Sequence, residues 1–306
     1  MYLNLNTQAL GVSGRQSELI ELALTYGFKG IDTDIDHLVR QTELHDFEHA
    51  ARFLSSANLR IGGFDLPVRW QGDDGPFEED LARLAAIADV ASQIGTAGCR
   101  TVVMPASDER PYHENFEFHR QRFTKIAEVL APHSIRLGLD FLATARHREN
   151  LQHQFIHSPD ALVTLAKTVG MENVGIAVDV WQWQVAGASW DPLRELSAQE
   201  IVSVRIADVP ANFDPATISD DERLLCTANG TVDAATIIKL LIDADYDGPV
   251  TPYPHASQFA GVTRDALVRR ASESVDLTPK EAEPVIEETA ELVTVTPNGE
   301  ETEGHE

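Results

Sequence analysis

Runs of alternating hydrophobic and polar residues recur along this chain, separated by stretches of helical period. In YLNLN (2–6), Leu3 and Leu5 share one face and Tyr2, Asn4 and Asn6 the other. In GIDTDID (30–36), Ile31, Thr33 and Ile35 oppose Asp32, Asp34 and Asp36. In RLGLDFLA (136–143), Leu137, Leu139 and Phe141 oppose Arg136, Gly138 and Asp140. In DGPVTPYPHA (247–256), Val250 and Pro252 oppose Thr251, Tyr253 and His255. RIGGFDLP (60–67), CRTVVMPA (99–106), VGIAVDVWQW (174–183) and IVSVRIAD (201–208) complete a set of eight strand-like segments.

Helical spacing follows each of them. Leu19, Ile20, Ala23 and Leu24 predict a helix over 15–26, which Gly27 ends. A helix is expected from about 38 to 57 and another carrying Leu81, Leu84, Ala88, Ala91 and Ile94. Phe116, Phe123, Ile126 and Leu130 mark the next. Ser158-Pro159 opens one that Gly170 stops. Short helices near 191–199, around Ala234–Leu241 and near 262–275 close the series, with a long loop at 209–230. Strict strand–helix alternation predicts a parallel sheet, and eight repeats predict an α/β fold closed into a single (β/α)8 TIM barrel over 1–276. The outward apolar set would face the helices. The polar set would line the barrel, where it must pair, meet water or meet a ligand.

Residues 277–306 carry nine Glu against one Lys and few apolar positions. That composition predicts a disordered acidic tail, a solubilising appendage or a partner-binding segment. Over the whole chain the formal charge is −25. So acidic a surface repels phosphate backbones, and no Lys/Arg cluster offsets it, which argues against nucleic-acid partners. No long apolar run and no charged-then-apolar leader is seen, so no membrane association and a cytoplasmic location are expected. Cys99 and Cys226 lack zinc or disulfide spacing and read as reduced, buried thiols. The pattern says nothing of oligomeric state.

Strand C-terminal ends form the mouth of such a barrel, so polar groups there are functional candidates. The phrases GFKGID (27–32), VGIAVD (174–179) and YDGPV (246–250), with the polar endings of the last four strands, resemble the xylose-isomerase-like TIM barrels. These are divalent-metal sugar isomerases and epimerases with a DNA-repair endonuclease branch. The resemblance implies a small sugar-derived substrate and a cation (Mn, Mg, Co or Zn) that polarises a carbonyl while a carboxylate moves the neighbouring proton. The family usually ends these four strands with Glu, Asp-x-x-His, His-x-x-Asp and Glu, and the two Glu, the first Asp and the second His hold the metal.

In this chain Asp140 stands for the first Glu, and Asp179 matches the Asp. Gln182 replaces the His of Asp-x-x-His, Arg205 replaces the other His, and Tyr253 replaces the last Glu. Asp208 keeps the family's Asp, and Asp32 aligns with a common second-strand Glu. Asp140 and Asp179 are therefore the surviving metal candidates, and a guanidinium beside them predicts weak or absent divalent binding. Asp140, Tyr253 and His255 are the catalytic candidates. Arg205, for an anionic group, with Asp208, Asp32, Trp181 and Gln182 are candidates for holding substrate. Two readings follow. One is a sugar isomerase or epimerase with a rebuilt site. The other is a non-catalytic barrel, binding a small ligand or serving as an accessory protein, whose aspartates form salt bridges to Arg205 or Arg136.

Overall fold

Eleven short strands organise the chain in the computed structural model, which describes residues 1–96 and 98–278. They are β1 (Tyr2–Leu5), β2 (Gly30–Ile31), β3 (Arg60–Ile61), β4 (Phe64–Asp65), β5 (Gly98–Val103), β6 (Ala106–Ser107), β7 (Arg136–Phe141), β8 (His153–Gln154), β9 (Val174–Asp179), β10 (Ile201–Ile206) and β11 (Pro249–Pro252). Nine of them form one parallel sheet in the order β3-β2-β1-β11-β10-β9-β7-β5-β4. β3 and β4 are two halves of one strand interrupted at Gly62-Gly63, so the two ends of that order meet. Counted so, eight strands close a barrel, as the alternation predicts. β6 and β8 make a small antiparallel pair after β5 and β7. The expected acidic tail, beyond its first two residues, lies outside the described residues.

The helices pack their apolar stripes on the outside of the barrel. Asp74–Gln93 buries Phe77, Leu84, Ile87, Ala88 and Ala91, and Tyr112–Leu130 buries Phe123, Ile126, Ala127 and Leu130. At roughly 1.5–3 kcal/mol per large side chain removed from water, these stripes supply most of the drive to close the layer. Both cysteines are buried and free, and burial pushes each thiol up to about 12, so neither is a ready nucleophile. Among the described residues no helix is long and apolar enough to cross a membrane.

Inside the barrel, a bulge in β10 between Ile201 and Ser203 turns Val202 toward the axis. Gly98, Gly138 and Gly175 surround it, and a Cβ on any of them would come within 2.8, 3.0 or 3.1 Å of the Val202 side chain. Three strands thus leave out a side chain so that one valine fills the centre. The same bulge sets Ser203 and Arg205 in register with Ala177 and Asp179 of β9, which keeps Arg205 at the level of the mouth.

Four expectations need correction, and capping accounts for three of them. The segment 30–36 is strand only at Gly30–Ile31, because the Asp34 side chain accepts from the His37 amide and starts the helix Ile35–Leu44. The helix expected over 38–57 is two, since Asp46 accepts from the His49 amide and opens Phe47–Ser56. The segment 174–183 is strand only to Asp179, which caps a short helix at Val180–Val185. The helix near 191–199 is a single turn, Asp191–Arg194.

Candidate active site at the barrel mouth

Three guanidiniums sit among carboxylates at the strand ends. Asp32, just past β2, accepts from Asn4 Nδ2 at 2.9 Å, Asn6 Nδ2 at 2.7 Å and Arg100 Nη2 at 2.7 Å. Asn4 Nδ2 also reaches Thr251 Oγ1 at 3.0 Å, so the inward polar residues of β1 and β11 close one network. Arg100 continues it, with Nε 3.0 Å from Asp65 Oδ1 at the end of β4. Arg205 Nη2 meets the same oxygen at 3.4 Å, and its guanidinium lies 4.0 Å from the centre of the Tyr253 ring. The Asp65 side chain is 70% exposed, so this corner, with half-buried Tyr253, is the open rim of the mouth.

Asp179 anchors the opposite corner. Its Oδ1 caps the short helix by accepting from the amides of Trp181 at 3.1 Å and Gln182 at 3.3 Å. Arg223 Nη1 donates to Oδ1 at 2.9 Å and to Oδ2 at 2.7 Å. The Arg223 guanidinium is also stacked 4.4 Å from the Trp181 ring centre and lies 5.7 Å from that of Tyr253. Burial works against the charge of Arg223, but the attraction of Asp179 and its hydrogen bonds outweigh it and raise the pKa. A buried carboxylate and a buried guanidinium are each tolerable here because they face each other.

Asp140, the last inward residue of β7, has no such partner among the described residues. Its Oδ1 accepts from the Phe141 amide at 2.8 Å. Burial, and then the negative charge of Asp179, push its carboxyl from the ordinary 3.8 up to about 8, against the opposing pull of Arg205 and Arg223. It is a buried mouth carboxyl that holds its proton more tightly than an ordinary aspartate, within the electrostatic reach of Arg205 and Arg223.

The other predicted residues lie as follows. Gln182 is fully buried; its Oε1 accepts from the Ala143 amide at 2.7 Å and its Nε2 donates to Asp220 at 3.3 Å. Asp220 in turn meets His147 at 2.6 Å. Asp208 Oδ1 accepts from the amides of Val209 and Val232, both at 2.8 Å, which closes the base of the 209–232 loop. His255 is exposed and caps a 3-10 turn through Nδ1, away from Asp140 and Asp179 in its contacts. Trp181 and Trp183 are completely buried, and Trp183 stacks on Trp190 at 5.7 Å. Arg136, offered as a partner for the aspartates, instead donates to the carbonyls of Gln199 and Ile201.

Three site residues escaped the sequence reading: Arg100, Asp65 and Arg223. Arg100 and Asp65 lie in the strand-like segments 99–106 and 60–67, and period two places Arg100 on the face of Val102, the residue that pairs in register with Asp140. No comparable signal marks Arg223, which lies in a loop of irregular sequence.

These donors do not fit a divalent cation. Both Asp179 oxygens already accept from Arg223, the Gln182 oxygen is taken by a backbone amide, and Arg205 stands over Tyr253. Only Asp140 remains, and a cation site of this kind needs several oxygen or imidazole ligands at once. Among the described residues no group of three His, Cys, Asp or Glu side chains could hold a metal ion.

Known proteins share the sequence pattern and the fold of this chain. Over 151 residues, 49% of this chain and 51% of the relative, the chain is 20% identical to the inosose isomerase of Bacillus licheniformis. It therefore spans about half the length of that curated relative. A xylose isomerase domain protein from Alicyclobacillus acidocaldarius superposes with a TM-score of 0.79 at 24% identity, covering 89% of this chain and 95% of its own. A protein named IolI, solved with a zinc atom, superposes at 0.75 with 15% identity, covering 90% and 96%. The sequence profile of the xylose isomerase-like TIM barrel family matches residues 20–277, and the chain belongs to that family.

Proposed function

We propose that this barrel is a sugar isomerase that moves a proton between adjacent carbons of a small sugar or cyclic polyol, with Asp140 as the acid/base. The observation that carries the reading is Asp140 itself, a buried inward carboxyl at the mouth end of β7, raised to about 8 by burial and by Asp179 and within the electrostatic reach of Arg205. In its ionised form it removes the proton from the carbon next to the substrate carbonyl. The electron pair forms a C=C bond, and the carbonyl electrons move onto oxygen. Arg205 holds that oxyanion, a role for which its buried Nε has no hydrogen-bond partner among the described residues. The protonated Asp140 then returns the proton to the former carbonyl carbon, and the adjacent hydroxyl becomes the new carbonyl as its proton passes to the oxyanion.

A single carboxyl delivers and collects the proton on one face. Asp32, Asp65 and Asp179 all engage arginines. One base favours isomerisation over an epimerisation that inverts a centre with two bases on opposite faces. The kinship with an inosose isomerase supports a polyhydroxylated carbonyl substrate. The paired charges around Asp179 favour a second reading, a non-catalytic barrel that binds such a ligand in the mouth.

Incubation with aldoses, ketoses and inososes in deuterated water, followed by NMR, separates the two. Deuterium uptake at the carbon beside the carbonyl, reduced about 10²–10⁴-fold by Asp140→Asn, supports the isomerase. Ligand-induced thermal stabilisation with no exchange favours the binding barrel. The absence of both exchange and stabilisation would overturn both readings.

A further inference from the structure

Arg223 reaches the mouth from outside the strand pattern, and the loop that carries it is built to hold it still. Asp208 and Leu224 pair through both backbone bonds, at 2.9 and 3.0 Å. The Arg223 carbonyl accepts from the His255 amide at 3.0 Å, tying the loop to the segment after β11. Asp208 clamps the two ends of the loop through the amides of Val209 and Val232. Gly230 lies so close to that carboxylate that a Cβ there would collide with it. The side chain is 8% exposed and rests on the indole face of Trp181. A mobile surface arginine is fixed by none of these things.

We infer that the Arg223 guanidinium is a resident cation, taking the place beside Asp179 that a metal ion takes in the family pattern, so that this barrel works without a divalent metal. The contact geometry is that of a cation on a carboxylate: one nitrogen meets both oxygens of Asp179. The aromatic faces of Trp181 and Tyr253 supply the attraction that offsets its lost hydration. A metal ion placed at the same carboxylate would face two fixed positive charges, Arg223 and Arg205, and would have to displace the first from both of its hydrogen bonds. Unlike a bound ion, a tethered guanidinium cannot be lost to chelators or exchanged for another metal. It keeps the buried charge of Asp179 balanced at the mouth whatever cations the solvent holds. This inference rests on reading the mouth as the active site, but its test uses no substrate. A barrel with the cation behaviour below and no deuterium exchange would keep the inference and lose the proposed reaction.

The purified full-length protein is dialysed against chelator, analysed for metal, and titrated with Mn²⁺ and Zn²⁺ while melting is followed. The expected result is no stoichiometric metal before or after dialysis, and a melting temperature that none of these treatments moves. Arg223→Ala should melt lower by about 10 °C. Millimolar methylguanidinium or Mn²⁺ should restore much of that loss, and equal ionic strength of NaCl should not. Arg223→Gln, neutral and two heavy atoms shorter, leaves the Asp179 carboxylate without its cation and should gain saturable Mn²⁺ binding in the same way. Stoichiometric metal that survives in the parent overturns the inference. So does a folded Arg223→Ala or Arg223→Gln that responds to neither cation. Should neither variant fold, the parent's metal content and its response to Mn²⁺ decide the matter alone.

Discussion

Arg223 Nη1 lies 2.9 and 2.7 Å from the two oxygens of Asp179, a pair 44 positions apart in the chain and both buried. Arg205, which sits in register beside Asp179 on the neighbouring strand, ion-pairs with Asp65 instead, a residue open to solvent. The nearer neighbour in the sheet is thus not the electrostatic partner. This division of labour separates what each arginine does for stability.

Arg223→Ala strands the buried charge of Asp179 and should cost about 3–5 kcal/mol of unfolding free energy. Arg205→Ala removes a stacking contact with Tyr253 and an ion pair to an exposed carboxylate, and should cost about 1 kcal/mol. Urea unfolding of both variants at pH 7 checks the difference. Equal losses would show that Arg205, too, balances a buried charge.

Asp140 makes stability depend on pH in a stated direction. Its folded pKa is raised above the unfolded value, so its contribution is fully present below about 3.8 and is lost as pH rises through about 8. Within that window the folded state holds a proton that the unfolded state releases, and the slope reaches at most about −1.4 kcal/mol per pH unit. Asp140→Asn should flatten the curve and be the more stable form at pH 8 and above. Denaturant midpoints measured from pH 5 to 9 for both proteins test this, and parallel curves would refute it.

The loop holding Arg223 depends on a missing side chain. A Cβ at Gly230 would meet the Asp208 carboxylate, whose Oδ1 ties the loop ends together. Gly230→Ala should therefore cost about 1–3 kcal/mol, the range for overpacking a tight contact. It should also raise hydrogen-exchange rates across 209–232 while leaving β7 and β9 protected. Unchanged exchange in the loop would mean that Asp208 does not clamp it.

Leu277 still packs against the core. A chain ending there keeps every described element, so truncation after Leu277 should change stability by no more than about 1 kcal/mol. Thermal melts of the full and shortened chains measure this, and a fall of many degrees would assign the acidic segment a docked role.

Much of this molecule is written locally. Period two along 2–6, 136–141 and 250–253 already separates the residues that face helices from those that line the mouth, because a strand sends alternate side chains to opposite sides. Asn4, Asp140, Thr251 and Tyr253 could be set on the inner face for that reason alone, and the eight alternations implied the closed sheet. Strand ends were less legible. Asp34 and Asp179 continue an alternating pattern by composition, yet each caps a helix, and only the amides it meets in three dimensions reveal that. Cation placement was not legible at all. Arg205 is visible because it sits on a strand, but its partner Asp65 comes from 140 positions away. Arg223 is carried to Asp179 by a loop whose path depends on Asp208, Leu224 and the bare backbone of Gly230. Local propensity acts over a few residues, and it determined the layers of the barrel. Electrostatic pairing acts across whatever distance the closed fold removes, so which charge meets which was decided only when the sheet closed.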